Sequence, residues 1–393
     1  YTKIILDNLI EVSPDGSYKL NLKYFEFATG DKMVSKAFCN LFGGPPRQPE
    51  SQITQKELDL AASIQKVLEE ILLLIAGVIR KKYKTENLCL AGGVALNCVA
   101  NAKLKQHAGF RNIWIQPAAG DAGGALGASL AFYYSQLKNE RKFVLGKDSM
   151  SNSLLGPEYS AAEAKIELDL LGANYIEVAS EDLFKVVAQE ISEGKAIGWM
   201  QGRMEFGPRS LGNRSILADP RNLSMQKTLN LKIKFRESFR PFAPSVIQEE
   251  CSAWFNFEGE SKYMLLVAPV LSYKREKPYD SENLIDRLAS ERTSLIPAVT
   301  HVDGSARIQT VNPDSNLKFY NLLKAFEKLT GCPVLINTSF NVRGEPIVCN
   351  VKDAFNCFMH TEIDILVIDN IILYKEKQNS VDSKSYIDKY ELD

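Results

Sequence analysis

The sequence of 393 residues is poor in histidine and tryptophan, with 3 of each, and shows no excess of charge of either sign. Lysine and arginine total 47 and aspartate and glutamate 48, which gives a formal net charge of −1. General binders of nucleic acid or of membrane surfaces usually carry a basic excess, so the composition argues against both classes. Local arginine clusters can still bind a small anion, because binding depends on the local field.

The 7 cysteines are scattered along the chain and form no C-x-x-C pair. Their number is odd, and several lie within apolar runs such as Leu88-Cys89-Leu90. Free cysteine is readily buried, and disulfides are rare in reducing compartments. We therefore interpret the cysteines as reduced thiols in the core of a cytoplasmic protein.

Long apolar runs are also missing. The longest apolar-rich stretch, Val67 to Ile79, is interrupted by Glu69 and Glu70, whereas a membrane-spanning helix needs about 20 apolar residues. The sequence therefore predicts no membrane segment. The chain begins within an apolar pattern, Ile4-Ile5-Leu6, and we expect it to be part of a longer protein.

The pattern of the first half predicts an α/β fold. Apolar residues recur with helical spacing from Thr54 to Lys84, and Thr54 with Glu57 forms a capping box at the start. Two strand–glycine turn–helix units follow, a repetition that is typical of α/β folds. Their strands are predicted at 87–90 and 112–116, and their helices at 94–106 and 125–137.

The second half continues the alternation of helices and strands. A crowded polar stretch at 138–156 predicts a linker between two domains, which the length of the chain also favours. We predict a second domain at 157–376 and a frayed polar tail at 377–393. Its predicted helices are 161–171, 180–193, 316–330 and 352–361, and its predicted strands are 174–178, 196–201, 333–337 and a pair within 365–374.

Two glycine turns in the first half have the composition of anion sites. The first motif, Gly92 to Asn97, leads into a helix, where backbone amides bind anions and glycine lets a nucleotide approach. The second motif, Gly120 to Gly127, places Asp121 among glycines, where a carboxylate could ligate a cation. Each motif is also compatible with a purely structural turn, and Asp121 with a helix cap. Together they look like the nucleotide elements of the actin/sugar-kinase fold.

The third and fourth motifs are rich in arginine. The third, Gly202 to Ser215, carries three arginines and three glycines, and the fixed fork of arginine suits phosphate. The fourth, Lys234 to Pro244, alternates basic with aromatic residues. On a strand, its residues Lys234, Arg236, Ser238 and Arg240 would share one face. A solvated basic loop and an amphipathic surface strand are the respective structural alternatives.

The fifth and sixth motifs place polar groups in the second half of the chain. The fifth is the segment His301 to Arg307, and the sixth, Asn337 to Pro346, directly follows an apolar strand. Hydroxyls and amides at a strand end can hold phosphate or ribose oxygens. Either motif alone could equally be turn chemistry.

In this order, the six motifs resemble the NodU/CmcH-type O-carbamoyltransferase family. The similarity runs from Tyr1 to Tyr374, and the third, fourth and sixth motifs carry most of it. The resemblance implies a partial actin/sugar-kinase-like (ribonuclease H-like) lobe at 1–137, without its amino-terminal part, and a YrdC-like α/β domain at 157–376.

The resemblance also implies an ATP-dependent reaction in two steps. The YrdC-like domain would form carbamoyl adenylate from carbamoyl phosphate and ATP, with matching catalytic residues Arg209, Lys234, Arg240, Arg307, Ser339 and Asn341. The kinase-like lobe would bind the nucleotide through Gly92, Gly93, Asn97, Gly120 and Gly123. It would pass the carbamoyl group to a hydroxyl of a sugar, an antibiotic or a similar small molecule.

A divalent metal, Fe²⁺ or Mg²⁺, is expected in the kinase-like lobe, with Asp121 as a ligand. The family also uses a pair of histidines from an amino-terminal region, and His107, His301 and His360 lie in no matching motif. We therefore expect an incomplete metal site and a chain that retains part of adenylate formation and lacks acceptor transfer. A homodimer is compatible with the family.

Two other functions stay open on the sequence. One is a threonylcarbamoyl-adenylate-type enzyme of tRNA modification, which the near-neutral charge and the lack of a basic stripe disfavour. The other is a nucleotide-binding interaction module, which would bind ATP without consuming it. The arginine-rich third motif disfavours this module, because a sensor of adenine nucleotides needs no second anion site.

Overall fold

The computed structural model describes residues 1–48, 51–142, 144, 148–237, 240–272, 274–275, 292–381, 386 and 389–390. It divides into two compact units. The first comprises residues 1–90 and 99–114, and the second comprises residues 91–98 and 115–393. The domain borders predicted from the sequence remain a prediction.

A long helix dominates the first unit. Along residues 1–115 the helices are α1 (Thr2–Asn8), α2 (Lys36–Leu41), α3 (Gln55–Tyr83) and α4 (Cys98–His107). The strands form two pairs, β1 (Ile10–Val12) with β2 (Tyr18–Leu20) and β3 (Asn87–Leu90) with β4 (Asn112–Ile115). The capping box of Thr54 and Glu57 is present at the start of α3, and Lys84 ends the helix in a left-handed conformation.

The second unit is built on a nine-stranded mixed sheet with helices packed on it. Its strands are β5 (Ile176–Glu177), β6 (Ile197–Met200), β7 (Arg214–Ala218), β8 (Ala243–Ile247), β9 (Leu266–Pro269), β12 (Ser305–Val311), β13 (Val334–Ser339), β14 (Ile365–Ile368) and β15 (Ile371–Tyr374). A separate pair consists of β10 (Lys274–Arg275) and β11 (Arg292–Thr293). The helices are α5 (Asp121–Ala131), α6 (Ala161–Leu170), α7 (Ser180–Ser192), α8 (Leu223–Thr228), α9 (Cys251–Trp254), α10 (Pro313–Thr330) and α11 (Val351–Met359).

The strand order of the large sheet is β5-β15-β14-β6-β7-β13-β8-β12-β9. The pairs β14–β6 and β12–β8 are parallel, and the other neighbours are antiparallel. Every residue of β6, β7, β8 and β14 is buried, which explains their nearly continuous apolar runs. The confirmed fold class is therefore a mixed α/β structure with a large mixed sheet.

The register of the central strands gathers several loops at one edge of the sheet. Met200 at the end of β6 pairs with Arg214 at the start of β7. Ser339 at the end of β13 pairs with Ser215. Asn337 lies opposite Ala243 at the start of β8. The third, fourth and sixth motifs consequently meet at this edge, although long stretches of sequence separate them.

Two predictions about the glycine-rich and basic segments are wrong. Helix α5 begins at Asp121 rather than at 125, so this carboxylate lies in the first helical turn and not in an open glycine loop. In the fourth motif, the described residues before 243, which are 234–237 and 240–242, do not form a strand. Lys234 closes a π-helical turn at 229–233, and Phe235 has a φ of +49°, a left-handed conformation that breaks an extended backbone. Ser238 lies outside the described residues.

Two segments predicted to be loose carry buried residues. Within the predicted linker, Met150 and Ser153 are buried, and Leu154 bridges to Glu205. Within the predicted frayed tail, Tyr386 is only 6% exposed and belongs to the core of the second unit. Thiol burial is also less uniform than predicted, because Cys251, Cys332 and Cys357 are buried while Cys89 is exposed.

No helix within the described ranges combines the length and the apolar character needed to cross a membrane. The interruption of α3 by Glu69 and Glu70 agrees with this finding.

The packing of the third motif against the core of the second unit can be tested at one of its glycines. Gly212 has a φ of +110°, and a Cβ there would lie 2.3 Å from the ring of buried Phe319. We expect Gly212→Ala to lower the free energy of unfolding by about 3 kcal/mol, because strain and overpacking add. Gly331→Ala is the matched control, since Gly331 has a φ of +72° with open space around it, and should cost about 1 kcal/mol. Equal losses in urea denaturation would contradict this packing.

Candidate anion-binding active site

A cavity of about 350 Å³ lies at the sheet edge where the motifs meet. All of its wall residues belong to the second unit. They come from the third motif, the fourth motif, the start of α4, the segment before β9, the region of β12 and the end of β13. They are Cys98, Pro208, Arg209, Ser210, Arg236, Arg240, Pro241, Phe242, Ala243, Met264, His301, Arg307, Asn337, Thr338 and Ser339.

The cavity wall carries a strong positive charge. Four of the wall residues are arginines, and none is an aspartate or glutamate. Burial and the neighbouring Arg209 lower the pKa of Arg307 to about 10, and burial lowers the pKa of Arg209. Burial thus disfavours the charged form of both groups, and the nearby arginines add repulsion at Arg307. An anion in the cavity would relieve both costs.

Arg209 stands on a loop whose backbone is held by one buried carboxylate. The Oε1 atom of Glu205 accepts hydrogen bonds from the backbone amides of Leu211, at 2.6 Å, and Asn213, at 2.8 Å, with a third from Arg214 at 3.3 Å. Within the described chain, the Nε atom of Arg209 is buried without a hydrogen-bond partner. The Glu205 carboxylate thus holds the backbone of the loop, and the Arg209 guanidinium is available to a ligand.

The other two arginines of the third motif have different roles. The fully buried Arg214 donates to backbone oxygens only, at 2.9 Å to Gln201 and at 3.0 to 3.4 Å to four further carbonyls. Arg203 is exposed and contacts the carboxylate of Glu158 at 3.8 Å. Only Arg209 of the three reaches the cavity.

Lys234 is buried in a cage of oxygens from the sixth motif. Its Nζ donates to the backbone oxygen of Ser339, to that of Asn341 at 2.8 Å and to the Asn341 Oδ1 at 2.7 Å. The Ser339 hydroxyl also donates to this Oδ1, at 2.6 Å. Three of the predicted catalytic residues are therefore one network. Burial and the nearby Arg236 lower the pKa of Lys234 to about 7.

Asn337 presents an acceptor on the wall of a cavity that otherwise offers mainly donors. Its Nδ2 donates to Gln309 Oε1 at 2.9 Å and to Ser245 Oγ at 3.0 Å. Gln309 in turn donates through Nε2 to Leu211 O, which fixes both amide orientations. The side chain is 1% exposed, and its Oδ1 has no partner among the described residues.

His301 enters the cavity wall with a defined tautomer. The Ser305 hydroxyl uses its single proton to donate to Asp303 Oδ1 at 2.7 Å. Ser305 Oγ is therefore the acceptor in its 3.0 Å hydrogen bond with His301 Nδ1. The neutral ring therefore carries its proton on Nδ1, which leaves Nε2 as the acceptor.

The two glycine turns adjoin each other and the arginine loop. Gly92 has a φ of +95°, and its backbone amide donates to Ala119 O at 2.8 Å. A Cβ at Gly123 would lie 2.1 Å from Ala118 O, so this position requires glycine. A Cβ at Gly207 of the third motif would lie 3.3 Å from Pro117 O. Cys98, directly after Asn97, lines the cavity, whereas Gly93 and Gly120 lie outside its wall.

Asp121 does not make a metal site with its surroundings as the structure describes them. Asp121 is solvent-exposed at the start of α5. No three histidine, cysteine, aspartate or glutamate residues come together as possible metal ligands in the described part of the chain. The described residues by themselves therefore do not form a complete metal site.

Comparison with known proteins agrees with the composition of this site. A model described as "Carbamoyltransferase C-terminus" matches residues 188–375, and one described as "Carbamoyltransferase N-terminus" matches residues 2–130. The chain belongs to the carbamoyltransferase family. The resemblance to the NodU/CmcH-type family is thereby confirmed, and membership supports a transferase.

Several curated carbamoyltransferase-family relatives are similar over most of this chain. The uncharacterized protein sll1178 of Synechocystis sp. is 52% identical over 100% of this chain and 65% of its own length. Nodulation protein NolNO of Sinorhizobium fredii is 39% identical over 86% of this chain and 47% of its own length. Nodulation protein NolO of Bradyrhizobium diazoefficiens is 38% identical over 84% of this chain and 57% of its own length. The chain thus spans about half to two-thirds of these relatives.

Several residues of this cavity and its support were not predicted as site residues. Arg236, His301 and Asn337 lie within the quoted motifs, but which motif residues line the cavity depends on the local backbone and on the strand register. Glu205 gave one signal, because it is the acidic residue within the arginine-rich third motif. Its role as an acceptor of three backbone amides becomes visible only in three dimensions.

The stability of this carbamoyltransferase-family chain should depend on pH through Lys234. In the unfolded chain the lysine keeps its proton up to about pH 10.4, whereas burial lowers the folded pKa to about 7. Between these values the unfolded state binds more protons, so stability rises with pH. The advantage of the wild type over Lys234→Met in melting temperature should therefore grow from about pH 7 to about pH 10. A pH-independent difference would show that the pKa is not lowered.

Proposed function

We propose that the second unit forms carbamoyl adenylate from carbamoyl phosphate and ATP in the arginine-lined cavity. In the whole protein, the carbamoyl group would then pass to a hydroxyl of a small-molecule acceptor. The observation that carries the proposal is a cavity of cationic donors whose wall includes a buried amide oxygen, Asn337 Oδ1, that lacks a partner among the described residues.

The chemistry of carbamoyl phosphate matches this arrangement. Its phosphate is an anion for the guanidinium groups of Arg209 and Arg307, and its amide N–H₂ is a donor for Asn337 Oδ1. Acetyl phosphate has the same anionic end without the N–H₂. A buried acceptor left unpaired costs free energy, so the site should favour the carbamoyl compound.

The reaction balances with water as a reactant. Water cleaves carbamoyl phosphate to carbamate and inorganic phosphate. A carbamate oxygen then attacks the α-phosphorus of ATP, the bond to the β-phosphate bridge breaks, and pyrophosphate leaves with its electron pair. The second step moves two anions, carbamate and ATP, toward each other, and the arginines and the Lys234 ammonium would offset that repulsion.

The two-part architecture of the family supports an assignment for each part. The second unit's mixed sheet, with the Lys234–Ser339–Asn341 network at its edge, would be the YrdC-like domain. The adjoining glycine turns at Gly92 and Gly120 would belong to the actin/sugar-kinase-like part and would bind ATP or the adenylate. Acceptor transfer, a divalent metal at Asp121 and a homodimer are proposed for the whole protein only.

Adenylate formation is tested by carbamoyl phosphate-dependent exchange of labelled pyrophosphate into ATP. We expect exchange by the wild type and a loss of about 100-fold or more in Arg209→Ala, because a preorganised cation is removed from a water-poor site. Ser339→Ala should also lose exchange, because Lys234 and Asn341 lose their common hydroxyl partner.

The matched control for this experiment is Arg203→Ala, which removes an exposed arginine from the same loop. It should exchange within about twofold of the wild type, as expected of an exposed residue outside the cavity. Exchange that survives Arg209→Ala would exclude the cavity as the reaction site. ATP binding without any consumption would favour the interaction module, and tight tRNA binding would favour the tRNA-modification enzyme.

The role of Asn337 is tested by substrate discrimination. Asn337→Ala should raise the KM for carbamoyl phosphate by about tenfold or more, because the carbamoyl N–H₂ loses its acceptor. Inhibition by acetyl phosphate should change by less than about twofold, since that ligand makes no such bond.

Ser245→Ala separates recognition from folding. It disturbs the same hydrogen-bond network from a fully buried position outside the cavity wall. It should therefore keep the preference for carbamoyl over acetyl phosphate. Equal weakening of both ligands by Asn337→Ala would refute direct recognition by this amide.

A further inference from the structure

Two tyrosines of the chain's last segment converge on one carboxylate beside the candidate site. The hydroxyl of Tyr386 donates to Glu345 Oε1, and that of Tyr390 donates to the same oxygen at 3.3 Å. Both tyrosines belong to the second unit, as does Glu345. They lie about 40 residues after Glu345 in sequence, so this contact is tertiary.

Glu345 closes the turn of the sixth motif. Its Oε2 accepts a hydrogen bond from the backbone amide of Val342 at 2.8 Å. Its backbone oxygen accepts one from Asn341 Nδ2 at 2.6 Å. Asn341 Oδ1 is the atom that receives Lys234 Nζ and the Ser339 hydroxyl. The tyrosines therefore bind the Glu345 side chain, and the Glu345 backbone oxygen is linked through Asn341 to Lys234.

The tyrosines are built into the fold rather than resting on its surface. The Tyr386 ring stacks on His360 at 4.6 Å with an interplanar angle of 9°, and Tyr390 packs edge-on against Tyr386 at 5.6 Å. Burial, followed by Cys357 and Glu345, raises the pKa of Tyr386 above its ordinary value. Its phenol therefore keeps its proton and remains a donor at any physiological pH.

We infer that Tyr386 and Tyr390 are positioning residues that lock the Glu345 carboxylate on the Val342 amide and so hold the turn whose backbone orients the Asn341 amide and, with it, Lys234. This inference rests on the proposed function for its catalytic consequence, but not for its structural part. Without the two phenols, Oε1 of Glu345 loses two donors, and the Val342 amide still donates to Oε2. The carboxylate is then held by fewer hydrogen bonds and is freer to move, because Glu345 is only partly buried.

The alternative is that the tyrosines only stabilise the fold. The hydrogen-bond pattern favours positioning, since both phenols donate to Glu345, the side chain that closes the turn of the sixth motif. A positioning residue acts through others, so its loss should disturb local order and substrate use more than global stability. These two effects can be measured separately.

The test variant is Tyr386→Phe/Tyr390→Phe, which removes two hydroxyls and keeps both rings. The matched control is Tyr374→Phe, which removes a tyrosine–glutamate hydrogen bond of 3.1 Å to Glu190, outside the cavity wall. Amide hydrogen exchange by mass spectrometry reports on peptides that contain Val342, without any ligand. Carbamoyl phosphate-dependent pyrophosphate exchange, at a temperature where all variants are folded, reports on activity.

In the double variant, we expect the amide hydrogens of the peptides that contain Val342 to exchange at least about threefold faster than in the wild type and the control. We also expect its KM for carbamoyl phosphate to rise about tenfold, because supporting contacts of this kind commonly carry such effects. Unchanged hydrogen exchange at these peptides would overturn the inference. A lower melting temperature with unchanged hydrogen exchange and KM would leave the tyrosines a purely structural role.

The two proposals fail in distinguishable ways. A wild type without pyrophosphate exchange, combined with faster hydrogen exchange in the double variant, would refute adenylate formation and support the lock on Glu345. A wild type with pyrophosphate exchange that the double variant fully retains at equal KM would support adenylate formation and refute the catalytic consequence of the lock.

Discussion

The Glu205 carboxylate and the Arg214 guanidinium satisfy the backbone of the loop that carries Arg209, and the candidate site depends on this. A buried loop must pair its amides and carbonyls, because each unpaired group costs free energy. Glu205 accepts from three amides, and Arg214 donates to five carbonyls from separate parts of the chain. With the backbone satisfied from behind, the Arg209 guanidinium can face the cavity.

The same principle explains how one cavity holds four arginines without a carboxylate in its wall. Burial lowers the pKa of Arg307 and of Arg209, and the neighbouring cations lower that of Arg307 further. The surrounding sheet and its polar network supply the rigidity that offsets this cost. Such a cavity suits an anion, and under the proposed function the buried acceptor of Asn337 would favour an anion that carries a donor.

Local patterns predicted the regular elements well, and failed where tertiary contacts override them. The helix with the Thr54–Glu57 capping box was found with nearly its predicted bounds, because its period and cap are local signals. The fourth motif alternates basic and aromatic residues like a strand, yet Phe235 adopts a left-handed conformation and Lys234 turns into the oxygen cage. The tail looked frayed from its composition, and Tyr386 is nevertheless buried.

The sequence by itself determined the fold class, the family and the set of motifs, because these are carried by periodicity, glycine turns and residue types at fixed spacing. Only the tertiary structure decided which motif residues share a cavity. The register of β6, β7, β13 and β8 brings distant segments to one sheet edge, and no local pattern contains that register. Of three arginines in one loop, burial and the available partners made Arg214 structural, left Arg203 in solvent and turned Arg209 toward the cavity.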